Sequence, residues 1–325
     1  MAPVTRLLGC ADSLAYQEGR TVRKTLAIIL IFVGMFLVVI GILAQFYAPD
    51  RLEKTPLDVH NVTHLSGTAE LGGESVPIKI TSTTVTDSDK STDNVVVWNN
   101  ASCVVKDEDD VPDCVSTDDP GNRLISASTD QFATDRVNGL AVADATKYLG
   151  ADATPHVGLV NKWPFNAQKK TYPYWDDTVG AAVDAVYQST KDLDGIEVYV
   201  YKLTVDKAPA SIAEGIDGLY SANTEFWVEP RTGDILNQIE DQVRTTTDGS
   251  PVLSIQAEFT DKQQKDSIAS SHDNLSKLDL LEKWVPLVGY IAGALCLIAG
   301  ILLTLSTRRR DEGSSNGTRE KAAVA

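Results

Sequence analysis

The sequence has little histidine, cysteine or methionine. Its 325 residues include four histidines, four cysteines and two methionines. It contains no GxSxG nucleophile turn, Walker loop, dinucleotide-binding glycine pattern or HExxH metal motif. Their absence argues against the common hydrolase, nucleotide-binding and zinc-protease classes. We therefore predict a protein that is not an enzyme and that has no cofactor and no bound metal.

The few candidate metal ligands are poorly spaced. His60 and His64 follow Asp58 in a stretch with strand propensity, where residues four apart lie about 13 Å apart on one face. That distance is too long for one shared ion. The acidic run Asp107–Asp110, with Asp113, could attract calcium, but it lacks the spacing and the glycine of an EF-hand loop. We interpret it as a solvated loop.

Two long segments contain no charged residue at all. Thr25–Tyr47 and Trp284–Leu305 are 23 and 22 residues long, and about 20 apolar residues suffice to cross a bilayer. Buried core helices are the alternative, but such helices are rarely free of charge for six turns. A cleaved signal peptide would have a shorter apolar run and a small-residue cleavage site after it. We predict two transmembrane helices.

Basic residues beside these segments predict the orientation. Arg20, Arg23 and Lys24 precede the first segment and Arg308–Arg310 follow the second, and basic flanks tend to stay in the cytoplasm. The prediction is a two-pass protein of the cell membrane with both termini cytoplasmic and its main domain extracytoplasmic. From the N-terminus, the predicted parts are a tail (1–24), a helix (25–47), the domain (48–283, with a stalk helix at 261–283), a second helix (284–305) and a second tail (306–325).

Basic residues are scarce in the domain between the helices. The two tails hold 9 of the 29 basic and 5 of the 45 acidic residues, which leaves 20 basic and 40 acidic residues for the domain. So acidic a surface repels the phosphates of nucleic acids. We therefore predict no nucleic-acid partner.

Two of the four cysteines, Cys103 and Cys114, fall in the predicted extracytoplasmic domain. In an oxidising compartment an isolated pair is most simply a disulfide. The bond would close a short acidic loop and stabilise the fold by roughly 3 kcal/mol in the loop-entropy model. Two free thiols are the alternative.

Strand and turn patterns predict that the domain is mainly β. Ile196–Val205 has apolar residues on both faces, so it either lies between two packed layers or has one face along an apolar cavity. Pro230 and Gly233 suit the turn of a hairpin over residues 225–239. Further strands are predicted at residues 76–85, 95–105, 122–128 and 251–259. After them, apolar residues recur at helical spacing, which predicts the stalk helix.

Aromatic residues make up 7% of the chain, and several of them fall within one stretch in its middle. This stretch, together with one face of the strand at 196–205, is our candidate lining for a ligand cavity. The candidate lining residues are Trp163, Phe165, Tyr172, Tyr174, Trp175, Val198 and Val200. Ordinary core packing of the aromatic stretch is the alternative.

Several sequence blocks in a fixed order resemble a known family. Thr55–Val59 (TPLDV) precedes Leu65–Ala69 (LSGTA), and Asp130–Arg136 (DQFATDR) leads into Gly139–Ala145 (GLAVADA). NKWPF, KKTYPYWD and FWVEPRTGDIL follow before the second apolar segment. Together these blocks resemble the actinobacterial envelope family labelled porin PorA, over nearly the whole chain.

The resemblance implies a fold and a role. Members occur in mycolic-acid bacteria and their relatives, and at least one is implicated in the maturation of lipomannan and lipoarabinomannan. The implied fold is a mainly β (α+β) extracytoplasmic domain, elongated and barrel-like with an internal apolar cavity, between two transmembrane helices. The family offers no catalytic residues to transfer. A two-helix anchor cannot itself form a pore, and the alternating ten-residue strands of an outer-membrane barrel are lacking.

Three functions are compatible with these observations. The first is a non-enzymatic protein that binds or transfers a membrane lipid or glycolipid, such as a phosphatidylinositol mannoside, in lipoglycan biogenesis. The second is a scaffold or accessory subunit of an envelope glycosyltransferase. The third is a glycan-processing enzyme, which would need two carboxylates roughly 5–10 Å apart. Its candidate carboxylates are Asp130, Asp135, Asp176 and Asp177.

Overall fold

The computed structural model describes residues 5–47, 51, 53–151, 153–213 and 215–322. The predicted start of the outer domain at residue 48, and the ends of the two predicted tails at residues 1–4 and 323–325, lie outside the described residues. The helices are α1 (Thr5–Phe46), α2 (Thr146–Leu149), α3 (Asp261–Asp279) and α4 (Val285–Ala322), with a π-helical turn at Leu280–Trp284. The strands are β1 (His60–Leu71), β2 (Glu74–Thr86), β3 (Val95–Lys106), β4 (Leu124–Asp135), β5 (Tyr172–Asp176), β6 (Ala181–Leu193), β7 (Ile196–Ala213), β8 (Ile216–Val228), β9 (Ile235–Thr246) and β10 (Pro251–Phe259).

These elements divide into two compact units. The helical unit combines Met1–Leu52 with Lys277–Ala325, and the β unit is Glu53–Ser276. Among the described residues, two helical stretches are long and apolar enough to cross a membrane, Thr21–Phe46 and Asp261–Arg308. The apolar segments of the sequence are therefore helical, and they indicate a membrane-associated protein.

Glycines allow α1 and α4 to pack closely within the helical unit. A Cβ atom on Gly293 would lie 2.7 Å from Val38 Cγ2 and 3.0 Å from the carbonyl oxygen of Gly34. A Cβ atom on Gly300 would lie 3.0 Å from the carbonyl oxygen of Ala27. The contacts advance along α4 as they recede along α1, so the helices are antiparallel. Small residues are what allow membrane helices to approach this closely.

Within the described residues, ten antiparallel strands form one sheet in the order β4-β3-β2-β1-β10-β9-β8-β7-β6-β5. The first strand of the chain thus pairs with the last, and β4 and β5 are left as the two edges. The segment between β4 and β5 joins these edges through isolated bridges. Thr134 of β4 pairs with Ala141, Leu140 pairs with Leu159, and Leu159 pairs with Tyr174 of β5. The sheet therefore curls into a half-barrel, as the expected barrel-like fold requires.

Strand β7 lies between two packed layers, the first of the two alternatives its sequence allowed. On one face, Ile196 and Val198 pack with Ile268 of α3. On the other face, Tyr201 belongs to a cluster that includes Trp163 from the segment between the sheet edges. Side chains alternate between faces along a strand, which is why this strand has apolar residues on both faces between Ile196 and Val205.

The other predicted strands are present with small shifts in their bounds. β2, β3 and β10 match the strands at 76–85, 95–105 and 251–259, and β4 extends the strand at 122–128 to Asp135. The predicted hairpin is the β8–β9 connection, in which Gly233 has φ of 76° and the Glu229 carboxylate accepts the N–H of Thr232 at 2.7 Å. The strand propensity of the stretch that contains His60 and His64 is confirmed, because both residues lie in β1. The sequence did not predict β5 or β6 as strands.

Cys103 and Cys114 form a disulfide, as predicted, with their Cα atoms 5.6 Å apart. The acidic residues of the loop that it closes are exposed, as a solvated loop requires. Val111 within the loop is buried against Val105, and Lys79 Nζ donates to its carbonyl oxygen at 2.8 Å. The loop is thus anchored to the sheet by the contact of Val111, by the hydrogen bond from Lys79 and by a hydrogen bond from the Asp107 N–H to the Pro77 carbonyl oxygen, in addition to the disulfide.

Candidate functional site

The inner face of the curled sheet, defined here as the face on which Trp163 packs, carries two apolar clusters. The first lies on β5–β8 around Trp163 and the second on β1, β2, β3 and β10. The second cluster comprises Leu65, Ala69, Val76, Ile78, Ile80, Val104, Leu253, Ile255, Ala257 and Phe259. All ten of these side chains are buried. A hydrocarbon chain packed against them would gain about 0.8 kcal/mol for each CH₂ group that leaves water.

Trp163 is the centre of the first cluster. Its side chain is fully buried, and its ring centroid lies 5.1 Å from that of Tyr174 and 5.0 Å from those of Tyr201 and Phe226. Tyr172 contacts Tyr201 edge to face, with centroids 5.8 Å apart. Such aromatic pairs contribute roughly 0.5–1.5 kcal/mol each beyond their buried area. This part of the inner face is a packed aromatic layer.

The seven predicted lining residues do not form a single surface. Trp163, Tyr172 and Tyr174 come together in the first cluster. Val198 is buried on the opposite face against α3. Because side chains alternate between the faces of a strand, Val200 lies on that opposite face as well. The other two aromatic residues make separate contacts. The ring centroid of Phe165 lies 4.2 Å from Lys162 Nζ, and that of Trp175 lies 4.5 Å from the ring centroid of His156.

A row of polar side chains on β9 lies between the two apolar clusters, which both contact Ile235 at the start of the same strand. Gln238, Glu240, Gln242 and Arg244 alternate along the strand and therefore share the inner face. Glu240 is paired with Ala257 of β10 and Thr224 of β8, both of which also face inward. Gln242 Nε2 donates to the Glu240 carboxylate, and Arg244 Nη2 donates to Gln242 Oε1 at 3.2 Å. We call these four residues the polar row.

Asp176, at the end of β5, lies beside the polar row and interacts with it electrostatically. The hydroxyl of Tyr220 lies 3.5 Å from the Asp176 carboxylate. Burial raises the pKa of Glu240, and the charge of Asp176 raises it further. Burial likewise raises the pKa of Asp176, although Tyr220 and Arg244 partly oppose the shift. Two carboxyl groups, carboxamides and one guanidinium group form a surface suited to hydroxyl groups, which both donate and accept hydrogen bonds.

A second polar group lies where the sheet edges meet. Asp130 belongs to β4, Asp177 follows β5, and His156 comes from the segment between these strands. His156 Nε2 lies 2.8 Å from Asp130 Oδ2, and one ligand atom from each of the three residues lies within 4.8 Å of the others. We call these three residues the edge cluster.

The edge cluster is electrostatically coupled. Burial alone lowers the pKa of His156, but the hydrogen bond and charge of Asp130 outweigh it, so the pKa is raised. Asp177 is exposed, but partial desolvation by the atoms around its carboxyl group and the charge of Asp130 raise its pKa. The imidazole ring is held between Phe132 and Trp175, at centroid distances of 5.5 and 4.5 Å. Both aromatic rings are tilted against the imidazole, at interplanar angles of 44° and 48°.

The structure thus brings together two of the four carboxylates considered for a glycan-processing enzyme, Asp130 and Asp177. Asp135 instead accepts the backbone N–H groups of the turn after β4, and Asp176 lies beside the polar row. Sequence reasoning missed His156, because a lone histidine, 26 residues from one partner and 21 from the other, follows no spacing rule. It also missed the polar row, although four alternating polar residues in a strand with apolar neighbours were a usable indication.

The fold and these sites define a membrane-associated β protein whose curled sheet carries an apolar inner face with a polar row. Residues 26–302 match the family described as Porin PorA, and the chain belongs to this family. It is similar to a protein named Porin PorA from Corynebacterium amycolatum, with 30% identity over 93 residues. That match covers 25% of this chain and 24% of the relative, so it spans about a quarter of the relative's length.

A similarity to a solved structure is much weaker. The crystal structure of a DUF1329 family protein from Desulfovibrio piger ATCC 29098 matches 71% of this chain and 93% of its own, at 10% sequence identity and a TM-score of 0.20. A likeness at this level carries no argument about fold or function.

Proposed function

We propose that the protein binds or transfers a membrane lipid or glycolipid in lipoglycan biogenesis and has no catalytic activity. The observation that carries this proposal is the inner face of the curled sheet, where the polar row lies between two apolar clusters. A ligand with acyl chains and a hydroxyl-rich head group matches such a surface. Family membership supports the proposal.

The charge of the polar row favours a sugar head group. Glu240 and Asp176 place two carboxyl groups near the single guanidinium of Arg244, so the polar row does not attract a phosphate alone. Sugar hydroxyls can donate to the carboxylates and accept from Arg244 and Gln242. Each acyl CH₂ that leaves water adds about 0.8 kcal/mol. A mannosylated two-chain lipid such as a phosphatidylinositol mannoside meets both requirements.

The proposed location follows from the two candidate membrane helices. Basic residues flank both apolar segments on the side of the chain termini, so we place the termini in the cytoplasm and the β unit outside. An extracytoplasmic lipid-binding domain with its own anchor has access to lipids of the outer leaflet. Envelope glycosyltransferases are the enzymes to which such a protein would present a glycolipid.

The experiment compares lipid binding by two matched variants of the full chain in detergent. Arg244→Gln removes the guanidinium group from the polar row, whereas Lys265→Gln removes an exposed cation from α3. We expect Arg244→Gln to weaken binding of a phosphatidylinositol mannoside about tenfold, since a hydrogen bond to a charged group contributes roughly 1.5–3 kcal/mol. Lys265→Gln should bind like the wild type.

The result also distinguishes the alternatives. Equal binding by the Arg244 and Lys265 variants would place the ligand away from the polar row and contradict the proposed site. If the wild type binds no lipid but crosslinks to a glycosyltransferase in cells, the scaffold function replaces the lipid-binding one.

A further inference from the structure

Two of the three residues of the edge cluster, Asp130 and His156, have hydrogen-bond partners outside it. Asp130 Oδ1 accepts the backbone N–H of Gln131 at 2.8 Å, which leaves Oδ2 for His156. His156 Nδ1 lies 2.9 Å from the carbonyl oxygen of Thr154. A carbonyl oxygen can only accept a hydrogen bond, so Nδ1 carries a proton and Nε2 points to the carboxylates.

The third ligand, Asp177, directly follows β5. Trp175 lies two residues before it and packs on the imidazole of His156, with ring centroids 4.5 Å apart. Trp175 therefore connects the strand that leads to Asp177 with the imidazole.

This pattern is the one that surrounds metal ligands in proteins. A metal-bound histidine almost always donates its other ring N–H to a carbonyl or carboxylate group, and ligating carboxylates are themselves hydrogen-bonded. One imidazole nitrogen and two carboxylate oxygens form a donor set for zinc and similar divalent ions. With two carboxylates against one imidazole, the edge cluster has excess negative charge that a divalent ion would neutralise.

We propose that Asp130, His156 and Asp177 bind one divalent metal ion of the zinc class, which replaces the proton on His156 Nε2 and leaves open positions for water. The ion would have a path from solvent. Asp177 is exposed. Asp130 and Thr154 are among the residues that line an open groove of about 650 Å³, whose other walls come mainly from β2, β3 and β4. This inference is independent of the proposed lipid binding.

The position of the ion would have a structural consequence. β4 and β5 are the two edges of the sheet, and Asp130 and Asp177 come from one edge each. An ion bound to both would join the edges at a point where the strands do not pair directly. Metal binding should therefore raise the thermal stability of the protein.

The test is metal titration of the full chain, purified in detergent without a polyhistidine tag and freed of metal with a chelator. Zn²⁺ binding is measured by calorimetry at fixed pH, and Co²⁺ binding by its visible absorption. The variants are Asp177→Asn, at an exposed ligand whose replacement should not impair folding, and Asp184→Asn, a control that removes an exposed carboxylate from β6.

We expect one ion per wild-type chain and an increase in the melting temperature on adding Zn²⁺. Asp177→Asn should weaken binding roughly tenfold or more and abolish the increase in melting temperature, whereas Asp184→Asn should behave like the wild type. Either of two results would overturn the proposal. One is no saturable binding of Zn²⁺ or Co²⁺ by the wild type, and the other is wild-type affinity in Asp177→Asn.

Discussion

Two similarly buried tryptophans offer a test of how much the hydrogen bonding of a buried indole N–H contributes to the stability of the β unit. Trp163 is fully buried and Trp98 is 3% exposed, so replacing either by Phe removes a similar buried area. Their indole N–H groups differ. Trp98 Nε1 donates to Thr134 Oγ1 at 2.9 Å, whereas Trp163 Nε1 has no hydrogen-bond partner among the described residues.

The difference in free energy follows from these contacts. Trp163→Phe removes a buried unpaired donor, whose desolvation costs roughly 1–3 kcal/mol, and this gain offsets part of the lost packing. Trp98→Phe loses a net hydrogen bond of about 1 kcal/mol and leaves the buried Thr134 hydroxyl without its donor. We expect Trp98→Phe to lower the free energy of unfolding by about 2 kcal/mol more than Trp163→Phe does.

The assay is urea unfolding of residues 53–276, followed by far-ultraviolet circular dichroism because both variants change the tryptophan fluorescence. Trp163→Ala provides a scale, since truncation of a buried tryptophan typically costs about 3–5 kcal/mol. If Trp163→Phe is as destabilising as Trp98→Phe, the reasoning from the unpaired indole N–H is refuted.

Three further predictions concern charge, helix packing and the disulfide. Burial raises the pKa of Glu240, so its folded-state pKa lies above the unfolded value of about 4.3. The stability that its protonated form provides is therefore complete below that pH and is lost as the pH rises through the folded-state pKa. Glu240→Gln should raise the urea midpoint at pH 7.5, the gain should shrink below pH of about 4.3, and Glu258→Gln at an exposed site should do neither. Gly293→Leu should separate α1 from α4, because even a Cβ atom would contact α1, and should lower energy transfer between fluorescent proteins fused to the two tails. Replacing Cys103 and Cys114 by Ser should lower the free energy of unfolding by roughly 3 kcal/mol under oxidising conditions, and unchanged stability would show that the bond does not form.

Much of the architecture could be predicted from local patterns. The apolar segments predicted at 25–47 and 284–305 are α-helical from residue 25 to 46 and from residue 285 to 305. Length and lack of charge alone favour membrane-spanning helices. The hairpin at 225–239 was predictable from Pro230 and Gly233, whose backbone preferences suit its turn. β5 is only five residues long and contains Pro173, and β6 has a single buried residue, Ala185. Neither strand therefore has a strong local alternation of apolar and polar residues.

The candidate site depends on contacts that are distant in sequence. Pairing of β1 with β10 brings Leu65 opposite Phe259, and no local pattern indicates that partner. The segment from 136 to 170 places Trp163 on the inner face, so residues predicted to line a cavity are packed in part as core. His156 contacts Asp130 only because the edges of the sheet meet. Curvature of a sheet arises from strand number, twist and bulges acting together, and a single sequence does not display it.

The most direct test of the central claim is native mass spectrometry of the full chain released from detergent, combined with lipid extraction of the same sample. We predict one two-chain lipid or glycolipid per protein molecule, and exchange for phosphatidylinositol mannoside when that lipid is added. A single mass of the lipid-free protein, unchanged by added phosphatidylinositol mannoside, would contradict lipid binding as the function of the curled sheet.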